Sequence, residues 1–245
     1  MINADQKPKG FFITGTDTGV GKTVATACLL HLLKKHGIRV GVMKPFETGV
    51  FFGRKESDAE FLIRTGGLDD SMEDVAPIRL KTPAAPLIAA RIEDASIDLE
   101  KIRQSYDRLM LKHETVLIEG VGGLLVPIKE NYSSVDLVVE LGVPLILVAH
   151  PFLGTINHTL LTLEVAHNKG LDVCGIIINS PREDHEVEVQ ERSVEFIEAR
   201  SGVPVIGRLP FFQNYIENGE FLDEPLGLFI SVSRLLDRYF FFKEE

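Results

Sequence analysis

Two cysteines among 245 residues are too few for a disulfide framework, and Cys28 and Cys174 lie far apart in apolar stretches, outside any CxxC or Cys/His spacing that would hold zinc. A chain of this length hides roughly 70 to 75% of its unfolded surface and needs neither kind of staple. Bases are also in deficit, with 26 Lys and Arg against 36 Asp and Glu, for a net charge of −10. That balance has no generic pull toward phosphate backbones or anionic lipid, so neither a nucleic-acid nor a membrane partner is expected. Uncharged runs stop short of the ~18 residues that a membrane span needs. The polar stretch Met1–Lys9 lacks the apolar centre of a signal peptide, and the expected location is the cytoplasm. Repeats and low-complexity segments are missing, the seven histidines show no HExxH spacing, and neither a G-x-S-x-G elbow nor a cysteine nucleophile is present.

What is there is an ordinary globular composition, 44% hydrophobic and 25% charged. Short apolar runs of strand length recur at Phe11 to Thr14, Val40 to Met43, Val116 to Ile118, Leu145 to Ala149, Val173 to Ile178 and Val203 to Leu209, separated by longer segments of helical period. That alternation predicts βα repeats. Several runs are apolar at successive positions, as strands covered on both faces are, so the central sheet should be mainly parallel. Gly37, Gly170 and Gly202 each stand between a helical run and a strand, where a left-handed C-cap residue is least strained as glycine. Leu99, Ile102, Tyr106, Leu109 and Met110 form one stripe of a helix over Ser96 to Lys112, and Leu228, Val232, Leu235 and Tyr239 form a second. The latter stripe has few bases on its polar face and is read as core packing, not a membrane tether. Pro83 and Pro86 frame a loop. The expectation is one α/β domain over residues 1–245 with a three-layer αβα architecture and a mainly parallel central sheet.

After the first strand, Gly15-Thr16-Asp17-Thr18-Gly19-Val20-Gly21-Lys22-Thr23 satisfies G-x-x-x-x-G-K-[ST] and opens an apolar helix with Val24, Ala27, Leu30 and Leu33. Backbone amides from Gly19 through Val20 and Gly21 to Thr23 would converge on phosphate oxygens at a helix N-terminus. Lys22 would supply charge to the outer phosphates, and the Thr23 hydroxyl could hold Mg²⁺. Magnesium on phosphates keeps several waters and takes one or two carboxylates. Glu119 ends an apolar strand and is followed by Gly120-Val121-Gly122-Gly123, at the sheet edge where ligands of open α/β sheets gather. From spacing alone, Asp58 reads first as a helix cap and second as another metal carboxylate. Lys44 follows the second strand at the same edge; it is either a solvated lysine or a phosphate-facing one. Asn179 either turns its strand into a loop before Pro181 or reads a base through its amide.

In order and spacing, the phosphate loop, Lys44-Pro45 with Glu47-Thr48-Gly49, Ser57-Asp58-Ala59, Glu119-Gly120-Val121-Gly122-Gly123, Leu153-Gly154-Thr155-Ile156-Asn157-His158 and Asn179 resemble the dethiobiotin synthetases, from Phe12 to about Phe212. The resemblance implies an ATP-dependent ligase of biotin biosynthesis built on the P-loop NTPase fold. Carbon dioxide would add to an amine of 7,8-diaminononanoate, ATP would phosphorylate the carbamate, and the second amine would close a cyclic urea, leaving ADP and phosphate. It further implies that Lys22 and Lys44 are catalytic and that Thr23, Asp58 and Glu119 surround Mg²⁺. Nucleotide contacts would come from Gly19, Val20, Gly21, Lys22, Thr23, Val24, Asp58, Glu119, Gly120, Val121, Gly122 and Asn179, with Pro210, Phe211 and Phe212 near the base. Thr48 would touch the diamine, its chain running past Leu153 and Val121. Thr155 and Asn157 would receive the substrate carboxylate from the second subunit of a homodimer. The chain departs from the family pattern at Phe152, where members often carry lysine, and Leu209-Pro210-Phe211-Phe212 only loosely echoes the stretch near the base. The absence of N-K-x-D after the strand ending at Asn179 favours ATP over GTP. The rival class is the dimerising switch ATPases that position septa or partition DNA. These typically carry a second lysine early in the phosphate loop, where this chain has Thr16, Asp17 and Thr18. A ligase with its own glutaminase domain would need a longer chain.

Overall fold

The computed structural model describes residues 10–50, 56–180, 182, 187–211 and 226–240. In chain order the strands are β1 (Gly10–Gly15), β2 (Val40–Met43), β3 (Phe46–Thr48), β4 (Ile78–Leu80), β5 (Thr115–Glu119), β6 (Pro127–Lys129), β7 (Tyr132–Ser133), β8 (Leu145–Ala149), β9 (Val173–Asn179) and β10 (Val205–Leu209). The helices are α1 (Lys22–Lys35), α2 (Asp58–Gly66), α3 (Met72–Val75), α4 (Pro86–Ile92), α5 (Leu99–Lys112), α6 (Ser134–Leu141), α7 (Thr155–Asn168), α8 (Val187–Ser201) and α9 (Ser233–Tyr239).

Six strands form one sheet in the order β10-β9-β8-β1-β5-β2, and every pairing in it is parallel. All residues of β1, β5 and β8 are buried, as strands covered on both faces must be. The six apolar runs of the sequence are these six strands, with ends moved by one or two residues. Gly37, Gly170 and Gly202 all have positive φ, at 80°, 68° and 69°, where a side chain would be strained.

Three features depart from the sequence reading. Two small sheets, β3 with β4 and β6 with β7, flank the main one. Pro86 is the first residue of α4, where its fixed φ suits the first helical turn. The C-terminal stripe is broken: Leu228 lies in a short 3-10 turn and is 79% exposed, while Val232, Leu235 and Tyr239 are buried. There Tyr239 meets the edge of Phe11 with ring centroids 5.2 Å apart, and its hydroxyl donates to Asp172. Among the described residues, no helix is long and apolar enough to cross a membrane.

Strand β1 has β5 on one side and β8 on the other, so their connections leave in opposite directions and open a crevice at the carboxyl edge. Register then decides what meets there. Ile13 pairs with Glu119 and Met43 with Ile118, which brings Lys44, the residue after β2, alongside Glu119.

Candidate active site

The phosphate loop fills the crevice between β1 and α1. Gly21 caps α1 in the left-handed region at φ 91°, and a Cβ there would run into the Asn179 amide. A side chain at Gly15 would meet the Asp17 carbonyl and Val20 at under 3 Å, so the loop closes only around glycine. No side chain caps α1 and its first turn holds no acid, which leaves its amides for an anion. Lys22 is buried and folds back to donate to the Asp17 carbonyl at 3.1 Å. Burial pushes its pKa down to about 8, Glu119 pulling it up and Lys44 pressing it further down.

Beside this loop three further site residues converge. Lys44 Nζ lies 2.5 Å from Glu119 Oε1 and 2.8 Å from Asp58 Oδ2, and the Thr23 hydroxyl donates to the same Glu119 oxygen at 2.9 Å. The side chains of Lys44 and Glu119 are 7% and 1% exposed, so this is a buried ion pair. Burial works against the Lys44 ammonium, but the two carboxylates outweigh it and hold its pKa above the ordinary lysine value. Lys44 is therefore not the solvated lysine that its position alone allowed. Asp58 is not the cap either: Ser57 is, in a capping box with Glu60, and Asp58 is the first helical residue of α2. Glu119 Oε2 is buried with no hydrogen-bond partner among the described residues. An open carboxylate oxygen beside a second carboxylate and a hydroxyl is a hard-oxygen donor set that fits Mg²⁺.

The remaining candidates spread along the same sheet edge. Asn179 ends β9, is buried, and its Nδ2 donates to the Val20 carbonyl at 3.0 Å, tying β9 to the phosphate loop. Gly120 and Gly122 follow Glu119; Gly122 is left-handed at φ 59°, and its carbonyl accepts the Gly15 amide. Val24 and Val121 are half-buried, Thr48 is half-buried at the end of β3, Pro210 is exposed and Phe211 is half-buried after β10. Phe212 lies outside the described residues. Helix α7 starts at Thr155 after left-handed Gly154, also without a side-chain cap; the Thr155 hydroxyl is buried without a partner and Asn157 is exposed. An apolar groove of about 540 Å³ runs along this helix start, past Phe152, Leu153, Leu160 and Val189, and includes none of Lys22, Lys44 or Glu119. Phe152 stacks on His150 and carries the Arg182 guanidinium over its face at 4.2 Å, so a cation stands beside the position that lacks lysine.

The sequence pattern gives no role to one residue of the Glu47-Thr48-Gly49 run. Glu47, in the middle of β3, is buried and binds the start of α2. An acid flanked by Phe46 and Thr48 in a short strand was the available signal.

A family model described as an AAA domain matches residues 9–217. The ATP-dependent dethiobiotin synthetase BioD of Bacillus subtilis subsp. natto is 41% identical over 210 residues, covering 84% of this chain and 89% of that one. The enzyme of the same name from Methanocaldococcus jannaschii is 44% identical over 200 residues, covering 80% and 91%. Among solved structures, the MinD cell division protein of Aquifex aeolicus superposes with a TM-score of 0.52 at 16% identity, covering 85% of this chain and 84% of that one. A ParA family ATPase from Chlorobium tepidum does so at 0.52 and 17%, covering 85% and 86%. At that distance the structural likeness speaks for the P-loop NTPase fold alone. Sequence identity near 40% over most of both chains reaches further, and with it the protein belongs to the ATP-dependent dethiobiotin synthetase family.

Proposed function

We propose that the chain works in the cytoplasm as a single ligase domain, residues 1–245. It converts 7,8-diaminononanoate, CO₂ and ATP to the cyclic urea dethiobiotin, ADP and phosphate. The observation that carries the reading is the buried cluster in which Lys44 is held between Asp58 and Glu119 beside Thr23 and the phosphate loop. Carbamates are weak nucleophiles that lose CO₂ readily, so fixed positive charge and positioning should carry the catalysis without a covalent enzyme intermediate.

In this scheme CO₂ adds to one amine, the carbamate oxygen takes the γ-phosphoryl group, and ADP leaves. The second amine then attacks the carbamoyl carbon and expels phosphate. Lys22 exchanges the Asp17 carbonyl for the outer phosphates. Lys44 faces the carbamate and the transferring phosphoryl group. The Thr23 hydroxyl and the Asp58 and Glu119 carboxylates would hold Mg²⁺, which when bound neutralises charge spread over the phosphate oxygens. The amides from Gly19 to Val24 cradle the phosphates, and Gly120, Val121 and Gly122 border the nucleotide. Asn179 keeps its Oδ1 for the adenine amino group, next to Pro210, Phe211 and Phe212.

The diamine end lies near Thr48. Its carboxylate goes to the start of α7, at Thr155 and Asn157 of a second copy in a homodimer. Free amides, a helix dipole and the buried unpartnered Thr155 hydroxyl support an anion at that place. Symmetric pairing, the commonest assembly of soluble chains, would let the start of α7 in one copy face the phosphate loop of the other.

Incubation with 7,8-diaminononanoate, bicarbonate, Mg²⁺ and ATP tests the reaction. The expected result is a product of dethiobiotin mass, with ADP release requiring both the diamine and CO₂. Brisk ATP hydrolysis indifferent to the diamine would instead favour the switch ATPases with which the chain shares its fold.

A further inference from the structure

Burying a carboxylate is unfavourable unless each oxygen is matched, and Glu47 is buried with both oxygens in use. Its Oε2 accepts from Arg79 Nε at 3.2 Å, the two residues facing each other in the parallel pairing of β3 with β4. Its Oε1 accepts the backbone amide of Ala59 at 2.9 Å. Ala59 is the second residue of α2, and Ser57 caps that helix through a different amide, that of Glu60. The first turn of α2 is thus held from two sides, once by its own capping box and once by a carboxylate from a strand outside the helix. A charged acceptor at the positive end of a helix binds more strongly than a neutral one.

The position of that bond matters because of its neighbours. The residue before Ala59 is Asp58, whose carboxylate reaches Lys44. Glu47 itself lies three residues beyond Lys44 in the chain, across Pro45 and Phe46. Both ends of the Lys44 to Asp58 pair are therefore tied to one short segment, the lysine through its backbone and the aspartate through Glu47. Lys44 is also fixed at its own amide, which donates to the Val75 carbonyl at 2.7 Å.

We infer that Glu47 is a positioning residue for the active site: through the Ala59 amide it sets where Asp58 stands relative to Lys44 and Glu119. The inference rests on the proposed role of Asp58 in holding the metal. Loss of Glu47 leaves the P-loop and the Ser57–Glu60 capping box intact but removes the second hold on the first turn of α2, and loosens with it one of the two carboxylates.

The test measures metal binding without turnover. Mn²⁺ is titrated against protein loaded with a non-hydrolysable ATP analogue, and free Mn²⁺ is read by electron paramagnetic resonance. Residues that orient a metal ligand typically change metal affinity 10- to 100-fold, so Glu47→Ala should weaken Mn²⁺ binding about tenfold. Glu47→Gln, which keeps an acceptor for the Ala59 amide, should recover most of that loss. In an Asp58→Asn background, Glu47→Ala should add little, because the ligand it orients is already compromised. Analogue binding without metal should not change. Where Glu47→Ala alone does not fold, Glu47→Ala with Arg79→Ala removes both charges and carries the same readout. Unchanged Mn²⁺ affinity in Glu47→Ala, or a full tenfold loss that persists in the Asp58→Asn background, overturns the inference. An Asp58→Asn protein that binds Mn²⁺ as tightly as the native one removes the metal role of Asp58 itself, and the Glu47 inference goes with it. When Asp58→Asn weakens binding and Glu47→Ala does not, only the Glu47 inference is lost.

Discussion

Replacing Lys44 with methionine keeps most of the apolar stem of the side chain and deletes its charge. In the native protein the ammonium sits 2.5 Å from Glu119 and 2.8 Å from Asp58, whose side chains are 1% and 29% exposed. Asp58 can turn to water when the ammonium is gone, so its share of the loss is small. Glu119 cannot; among the described residues it would keep the Thr23 hydroxyl bond and the more distant Lys22 charge. Breaking a buried pair by removing one partner costs about 3 to 5 kcal/mol, and the lower end applies here because one carboxylate escapes. For a chain of this size each kcal/mol lowers the unfolding midpoint by about 2 to 4 °C, so the variant should melt about 6 to 12 °C below the native protein in metal-free buffer. Adding Mg²⁺ with ATP should return most of that difference, since a cation again faces Glu119. Turnover should not return, and should stay down on the order of 10² to 10³-fold, as when a group aimed at transition-state charge is removed. Thermal unfolding followed by circular dichroism, with and without Mg²⁺ and ATP, and product formation followed by mass read the two effects separately. A metal-free midpoint equal to that of the native protein would refute the buried-pair argument. A deficit that Mg²⁺ leaves untouched would move the metal away from Glu119, and near-normal turnover would remove Lys44 from the reaction.

Three further outcomes are expected. Lys22 has a folded pKa of about 8, below the ordinary lysine range. Its charged form therefore counts against the free fold below that pH, and stability gains as pH rises from about 8 toward the unfolded value. Phosphate favours the charged form, so ATP binding should take up a proton above pH 8 and weaken by up to about tenfold per pH unit; calorimetry showing a flat affinity from about pH 7 to 9.5 would take Lys22 off the phosphates. Gly21→Ala forces a side chain into the left-handed region, about 1 to 2 kcal/mol of strain before the clash with Asn179 is counted. It should abolish ATP binding, and a fluorescent-nucleotide titration giving native affinity would show that the loop can rearrange. Finally, Lys22→Ala and Asn157→Asp, each inactive alone, should recover activity after subunit exchange, because a mixed dimer contains one intact composite site. No recovery, with exchange verified by mass, would mean that each site is built within one chain.

Much of this protein is legible in its sequence. Strands β1, β5 and β8 declare themselves because burial on both faces demands apolar residues at successive positions, and a local run shows that directly. The phosphate loop is equally local: from Gly15 to Thr23 it needs glycines where its own backbone closes, and nine consecutive residues contain the whole requirement. The rest of the site depends on residues distant in the chain. Lys44 and Glu119 are 75 positions apart, and they meet because β2 and β5 pair in parallel with Met43 beside Ile118; a slip of one residue would separate them. Asp58 reads as a cap for a local reason, since Ser57 one residue earlier is an equally good cap residue and is the one used. Distance along the chain hides the role of Glu47, whose partners Ala59 and Arg79 come from a helix and a strand 12 and 32 positions away. Local sequence determined the six strands of the main sheet, the phosphate-loop motif and which residues can carry charge. The tertiary structure alone decided which charges stand together, because burial makes an unpaired carboxylate or ammonium too costly to leave and pairing is settled by register across the sheet, not by order along the chain.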